Sequence, residues 1–503
     1  MMARIPRLTF DRGTLILHPP PGGKAWVEFA TWDDRVEKFR VPACQYRALV
    51  ETLQRDGVSF TDDAKGFTPL ALTPQLQRTP YPHQAEALRA WKVAGRRGVV
   101  VLPTAAGKTY LAQMAVAATP RSTLITVPTL DLMHQWYDQL LQAFPGTAVG
   151  LLGGGSRDGL GSDSGNCTAI LVATYDSAAI HAETLGNRYG LLICDECHHL
   201  PSSFNRVIAE YAIAPYRLGL TATPDRSDGR HGDLDTLIGP IVYEQQPEDL
   251  AGTALAPYDI VPIKVPLSDL ERVRYDRLIQ QRNTFLQGAN IWLGSVEGWQ
   301  RFVQASAQSQ AGRRAMLAHR EAKTIALGTE GKLRILTDLL AQHHPERVLI
   351  FTNDNQTVYR ISQDFLIPAI THQTPVKERQ VVLERFRSGV YPTLVVSHVL
   401  NEGVDVPDAR VAILLSGTGS TREYIQRLGR ILRKGSGSKR AILYEVIAEE
   451  TSEEATSRRR RTPSPRRGTG QLELLPYGTG DRSTPLAAES SPPWPEPESP
   501  EKD

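Results

Sequence analysis

The stretch VVVLPTAAGKTYLAQM, residues 99–114, decides the architecture of this chain. Its opening apolar residues read as a buried strand, residues 103–107 as a tight loop, and from Lys108 the positions Leu111, Met114 and Ala115 share one face of a helix. In such a strand, loop and helix the loop N–H groups and the helix N-terminus face phosphate oxygens. A lysine there reaches the outer phosphates and the next hydroxyl holds Mg²⁺. Thr104, Ala105, Ala106, Gly107, Lys108 and Thr109 are therefore candidate nucleotide-binding residues, with Thr109 also toward the metal. Pro103 and Leu102 stand near the place where the usual pattern has an earlier glycine, so an ordinary helix start is the rival reading.

The flanking sequence repeats the theme of an apolar strand closed by a polar residue. Residues 123–127 lead through Pro128 to Thr129, 170–173 end at Thr174, 191–194 at Asp195, and 218–220 at Thr221. In a parallel sheet these ends lie along one edge, where ligands bind in open α/β folds. Asp195 suits Mg²⁺ through its water shell, and Glu196 suits orientation of an attacking water. Cys194, Cys197, His198 and His199 mimic zinc ligands. Cys194 lies in an apolar strand, however, and no second Cys/His pair follows at finger-like spacing, which favours a small buried hydrophobe. After Thr223 the loop containing Arg226 and Asp228 is too polar for a core and suits either DNA or solvent.

A second α/β unit follows, with strands at 348–351, 394–396 and 412–415 closed by Thr352, Ser397 and Ser416. Ser420 and Glu423 have capping-box spacing, and Gln426, Arg430 and Arg433 then fall on one face of the helix, as arginine fingers would. Gly403 and Asp405 add a turn and a carboxylate at that sheet edge. Residues 267–327 read as almost continuous helix, with arginines from Arg272 to Arg320 and with Trp292, Trp299 and Phe302 interleaved. That pattern fits either a phosphate backbone or a solvated face. At the start, residues 15–18, 25–30 and 57–60 read as strands and 45–55 as a helix, a module that either binds DNA or packs on its neighbour. After about residue 449 the chain is rich in Arg, Pro, Ser and Glu, and disorder is expected.

Composition adds limits. The 503 residues, 41% hydrophobic and 22% charged, allow two or three domains with sizeable cores, and the net charge of +2 neither demands nor excludes nucleic acid. No apolar run approaches membrane length, no signal-peptide core is visible, and four cysteines are too few for a disulfide framework. No membrane association and a cytoplasmic, nucleoid-associated location are expected.

In order along the chain, LPTAAGKT, VPTLDLMHQW, VATYDSA, DECHHLP, LGLTATP, VVSHVLNEGVDVPDA and EYIQRLGRILR resemble the successive motifs of superfamily 2 helicases. The longer blocks LGNRYGLLICDECHHLP, APYRLGLTATPDRSDGRH, FLIPAITHQT and REYIQRLGRILRKG resemble the XPB family in its short archaeal and bacterial form. The resemblance implies an α/β fold with two RecA-like parallel-sheet domains, a small α+β N-terminal domain, a helical insertion and a disordered C-terminal tail. The segments expected are 1–75 (similar to the family's damage-recognition domain), 76–250, 251–327 (linker and thumb-like insertion), 328–449 and 450–503.

The resemblance also implies an ATP-dependent, Mg²⁺-requiring 3′ to 5′ DNA helicase or translocase in DNA repair or promoter opening. Single-stranded and duplex junctions would be its DNA, a nuclease a partner, and a monomer its state. An ATP-switched DNA clamp, or a duplex translocase with little unwinding that recruits the nuclease, is the alternative. Matched by motif, Lys108 and Thr109 would bind phosphate and Mg²⁺, and Asp195 and Glu196 would serve metal and water. Gln84 would contact adenine, and Gln426, Arg430 and Arg433 would sense the γ-phosphate. Thr129, Thr174, Thr221, Thr223, Arg226 and Asp228 are candidates for coupling and DNA contact. Three departures stand out: Ala105 at the inner P-loop glycine, Tyr81 and His83 where Arg and Tyr are common, and Arg226-Ser227-Asp228 in place of an Arg-Glu-Asp unwinding motif.

Overall fold

The apolar runs closed by polar residues assemble into two large sheets. The computed structural model describes residues 5–22, 24–76, 78–161, 168–224, 226, 228–293, 296–397, 409–416 and 440–461. It divides into one unit carrying residues up to 249 and another running from 250 to 465.

The first unit begins with a small five-stranded sheet in the order Thr31–Asp33, Lys38–Pro42, Thr14–His18, Arg7–Asp11, Thr61–Asp62. Helix Tyr46–Arg55 covers it because Tyr46, Leu49, Val50 and Leu53 recur at helical spacing and are all buried. Two expectations need correction here. Residues 25–30 are not a strand: Ala25–Phe29 is a 3₁₀ turn that drives Trp26 into the core, its ring edge-on to Phe39 at 4.9 Å. Residues 57–60 are not the next strand either. Gly57, at φ +66, ends the helix, the Val58 N–H donates to the Leu53 carbonyl, and pairing starts only at Thr61. The module packs on its neighbour. Arg47 donates to the carbonyls of Gly95 (2.6 Å) and Pro215 (3.3 Å), the Gly66 N–H donates to Asn187 O (2.9 Å), and the Tyr211 ring leaves no space for a Cβ at Gly13.

Beside it runs an eight-stranded sheet in the order Ile241–Glu244, Arg97–Val101, Tyr216–Thr221, Leu191–Asp195, Thr123–Val127, Ile170–Thr174, Val149–Gly153, Ser156–Arg157. All neighbours are parallel except the last pair, and the central strands are buried along their length, as expected of a sheet covered on both faces. Register aligns Val101 with Thr221 and Asp195 with Leu220, so the loops after these strands leave from one edge. Cys194 and Cys197 are both fully buried in this unit's apolar cluster.

The second unit holds a six-stranded parallel sheet in the order Tyr258–Val265, Ala441–Ala448, Val411–Leu414, Val348–Phe351, Thr393–Val396, Ala369–Ile370. Its edge strand Tyr258–Val265 falls inside the stretch 251–327 expected to be linker and insertion. Eight residues in register with Ala441–Ala448 make it part of the sheet instead. The helical insertion is three helices, Asp269–Gly288, Val296–Gln308 and Gln310–Gly328. Phe302 is buried between Phe285, Trp299 and His319, while Trp292 stays 77% exposed. Some of the arginines are tied internally: Arg272 donates to the carbonyls of Glu449 and Glu450, and Arg274 pairs with Glu321. Residues 452–461, expected in a disordered tail, form helix Ser452–Arg461, held by a buried ion pair between Glu453 and Lys332. No helix among the described residues is long and apolar enough to cross a membrane.

One group in the insertion makes its stability sensitive to acid. Burial, reinforced by the nearby charges of Arg282, Lys323 and Arg320, pushes the His319 imidazole down to about 4 from its ordinary value of 6.5. The unfolded chain therefore takes up a proton that the folded chain refuses. Stability is lost as pH falls from about 6.5 toward 4. Thermal unfolding followed across that window should show the loss in the wild-type chain and a smaller one in His319→Gln; equal slopes would count against it.

Candidate active site

The loop after strand Arg97–Val101 turns through two left-handed residues before helix Lys108–Ala118 begins. Gly107 stands at φ +81, a conformation that suits glycine, and a Cβ there would push the Gln84 amide nitrogen, 2.2 Å away, off the loop. Ala105 stands at φ +68 without that freedom, a conformation that costs an L-residue about 1–2 kcal/mol. The side chain of Lys108 extends along the loop. Its Nζ donates to Leu102 O at 3.3 Å and lies 3.6 Å from Glu196 Oε1.

Asp195 closes its strand as a buried carboxylate that is fully oriented. Trp136 Nε1 donates to Oδ2 at 2.9 Å, and the Glu196 N–H donates to Oδ1 at 3.0 Å. Burial pushes its pKa up to about 6, the neighbouring Glu196 charge adds to this, and Lys108 and Trp136 oppose it. Glu196 also has positive φ, +47, an uncommon conformation for a residue with a Cβ. Its Oε2 lies 3.5 Å from both His198 Nδ1 and Thr221 Oγ1. Thr221 also donates to Thr223 O at 2.9 Å, closing the turn just after its own strand, while its approach to Glu196 is what links the two neighbouring strand ends. Tyr175 donates to the Asp195 carbonyl at 2.8 Å from below.

Next to the loop, helix Pro82–Val93 begins with two buried polar side chains. His83 Nε2 contacts Ala106 O at 2.9 Å, and Gln84 Nε2 donates to Ala106 O and Gly107 O, each at 3.2 Å. Gln84 Oε1 accepts from the Tyr81 N–H at 3.0 Å.

The other sequence candidates separate by role. Thr129 and Thr174 are helix N-caps, accepting from the N–H groups of Leu132 and Ser177. Arg226 grips Asp228 with two nitrogens, at 2.9 and 2.6 Å, and also donates to the carbonyl of His198, which holds the Asp228 carboxyl well below its usual range. Gly403, Asp405, Gln426, Arg430 and Arg433 lie outside the described residues, as does Ser227. Sequence reading missed His83, Trp136, Tyr175 and His198 as supports. For Trp136 a signal existed, two helical turns beyond the Thr129 cap and so on the side that faces the sheet.

The donor set fits a magnesium nucleoside triphosphate. Lys108 and Asp195 offer opposite charges on one edge, and the hydroxyls of Thr104 and Thr223 are buried there with no hydrogen-bond partner among the described residues. Lys108, on the same edge, supplies the cation that an anionic, phosphate-bearing ligand needs.

The family model described as the Xeroderma pigmentosum group B helicase damage recognition domain matches residues 8–64, that of the Type III restriction enzyme res subunit matches 77–226, and that of the helicase conserved C-terminal domain matches 331–435. The chain is 40% identical over 438 residues to a protein named DNA 3'-5' translocase XPB2 from Sulfurisphaera tokodaii, covering 87% of this chain and 97% of that one. It is 33% identical over 387 residues to DNA 3'-5' helicase XPB from Kineococcus radiotolerans, covering 74% of this chain and 60% of the other. Among solved structures, the Pyrococcus furiosus Hef helicase domain shares the fold, with a TM-score of 0.54 at 18% identity over 76% of this chain and 98% of that one.

Proposed function

Because this chain belongs to the XPB family of superfamily 2 helicases, we propose that it is an ATP-dependent DNA translocase and helicase that moves 3′ to 5′. The observation that carries the proposal is the meeting of Lys108, Asp195 and Glu196 on one sheet edge, each already oriented by a hydrogen-bond partner or a neighbouring charge. Lys108 and the loop N–H groups hold the phosphates, while Thr109 and Asp195 would hold Mg²⁺. The metal, when bound, neutralises charge across the outer phosphates. Glu196 orients water and accepts its proton, and its tie to Thr221 and His198 passes the change to the neighbouring strand end. Gln84 is proposed to contact adenine by exchanging its bonds to Ala106 O, Gly107 O and the Tyr81 N–H for the base, and Gln426, Arg430 and Arg433 to sense the γ-phosphate.

A second reading, a duplex translocase with weak unwinding, draws on Arg226. Its guanidinium is already committed to Asp228 and to His198 O, so it is not displayed toward DNA. The deciding experiment measures ATPase stimulation by DNA together with strand release from a duplex bearing a 3′ tail. Stimulation with release supports the helicase, and stimulation without release supports the translocase. Tight ATP-dependent DNA binding with negligible turnover would leave only a clamp.

A further inference from the structure

Ala105 carries a strained backbone in the loop where strain is least affordable, so something nearby must hold it. Two neighbours on helix Pro82–Val93 do so. The carbonyl of Ala106 can only accept, so His83 Nε2–H is the donor at 2.9 Å, and Gln84 adds a second donor to the same oxygen. The His83 ring is itself fixed: it is 4% exposed and stacked under Tyr81, with ring centres 5.7 Å apart and planes 15° from parallel. The Gln84 amide is braced from its other side by the Tyr81 N–H. Both side chains therefore hold the Ala106–Gly107 peptide, one residue beyond Ala105, and so fix the loop just after its left-handed turn.

We propose that His83 is a positioning residue, whose hydrogen bond to Ala106 keeps Ala105 in its left-handed conformation and so holds the loop in shape for a nucleotide's phosphates before the nucleotide arrives. The inference rests on the nucleotide-binding reading of the loop. A glycine at 105 would enter the same conformation without help, so the histidine and the alanine act as a matched pair. Remove the clamp and the alanine relaxes; binding must then restore the loop at the ligand's expense.

His83→Phe keeps the ring and its stack on Tyr81 but deletes the donor. Titration of the full-length protein with a fluorescent ATP analogue and Mg²⁺, without DNA, should show Kd rising about 10-fold, the usual scale for one buried hydrogen bond with its geometric consequence. Adding Ala105→Gly to that variant should return Kd to within about 3-fold of wild type, because glycine pays no left-handed penalty. In steady-state ATP hydrolysis the loss should fall on KM rather than kcat. His83→Ala carries the same expectations should the phenylalanine variant fail to fold, with circular dichroism as the check. A Kd within about 2-fold of wild type in the single variants overturns the proposal, and so does a glycine that fails to rescue. No binding by the wild-type protein would instead overturn the nucleotide reading itself, before any variant is compared.

Discussion

Replacing Lys108 by alanine should lower ATP turnover by about 10³-fold, the scale on which preorganised charge at a reacting centre acts. Its Nζ is the cation facing Glu196, at 3.6 Å, and it opposes the burial that pushes Asp195 upward. Without it the two carboxylates face an anionic ligand unaided, so nucleotide binding falls along with turnover. Glu196→Gln separates the two effects. It keeps the shape of the side chain and removes the proton acceptor together with a negative charge that would repel the phosphates, so turnover should fall by a similar factor of about 10³ while nucleotide binding persists. Phosphate release, nucleotide titration and DNA mobility shifts together make the check, with DNA binding retained in both variants. Turnover near wild type in either one would remove this edge from the mechanism.

The second large effect is structural. Lys332 and Glu453 form an ion pair at 2.6 Å with side chains only 2% and 3% exposed. Each also serves the backbone: Lys332 Nζ donates to Leu415 O at 2.6 Å, and Glu453 Oε2 accepts from the Ala448 N–H at 2.8 Å. Truncating one partner leaves the other charge buried without its counter-charge, and Lys332→Met should cost about 3–5 kcal/mol in chemical denaturation. Joining it to Glu453→Leu should recover part of that loss, since two apolar side chains need no counter-charge, although the bonds to Leu415 O and the Ala448 N–H are lost with the pair. The released element is helix Ser452–Arg461, so proteolysis should cut near residue 452 in Lys332→Met and spare the wild-type chain. A loss below about 1 kcal/mol in the single variant would show that the pair is not anchoring the helix.

Much of the fold could be read locally because parallel strands announce themselves. Runs such as residues 191–194 and 218–220 are apolar throughout and stop at a polar residue, and the structure puts Asp195 and Thr221 at neighbouring strand ends. What escaped reading depends on partners distant in sequence. Glu453 looks like one charge in a polar tail until Lys332, 121 residues earlier, meets it. Strand Tyr258–Val265 has little alternation to mark it and is specified by its partner Ala441–Ala448. Trp26 sits in a stretch of strand-like composition, yet the core takes it from a 3₁₀ turn. At the site, the loop residues were legible as a motif. His83 was not, because its role is defined by a carbonyl 23 residues away and by an alanine whose φ no composition reveals.

The anchoring of the N-terminal module has a mechanical consequence. Arg47 reaches Gly95 and Pro215, and Gly66 reaches Asn187, all of which precede strands whose far ends carry Lys108, Asp195 and Thr221. The module is thus bolted to the opposite rim of the sheet, roughly one strand length or about 17 Å from the phosphate loop. It is ballast on the first sheet rather than an arm swinging from it. Whatever shift the first sheet makes, these bonds carry the module with it.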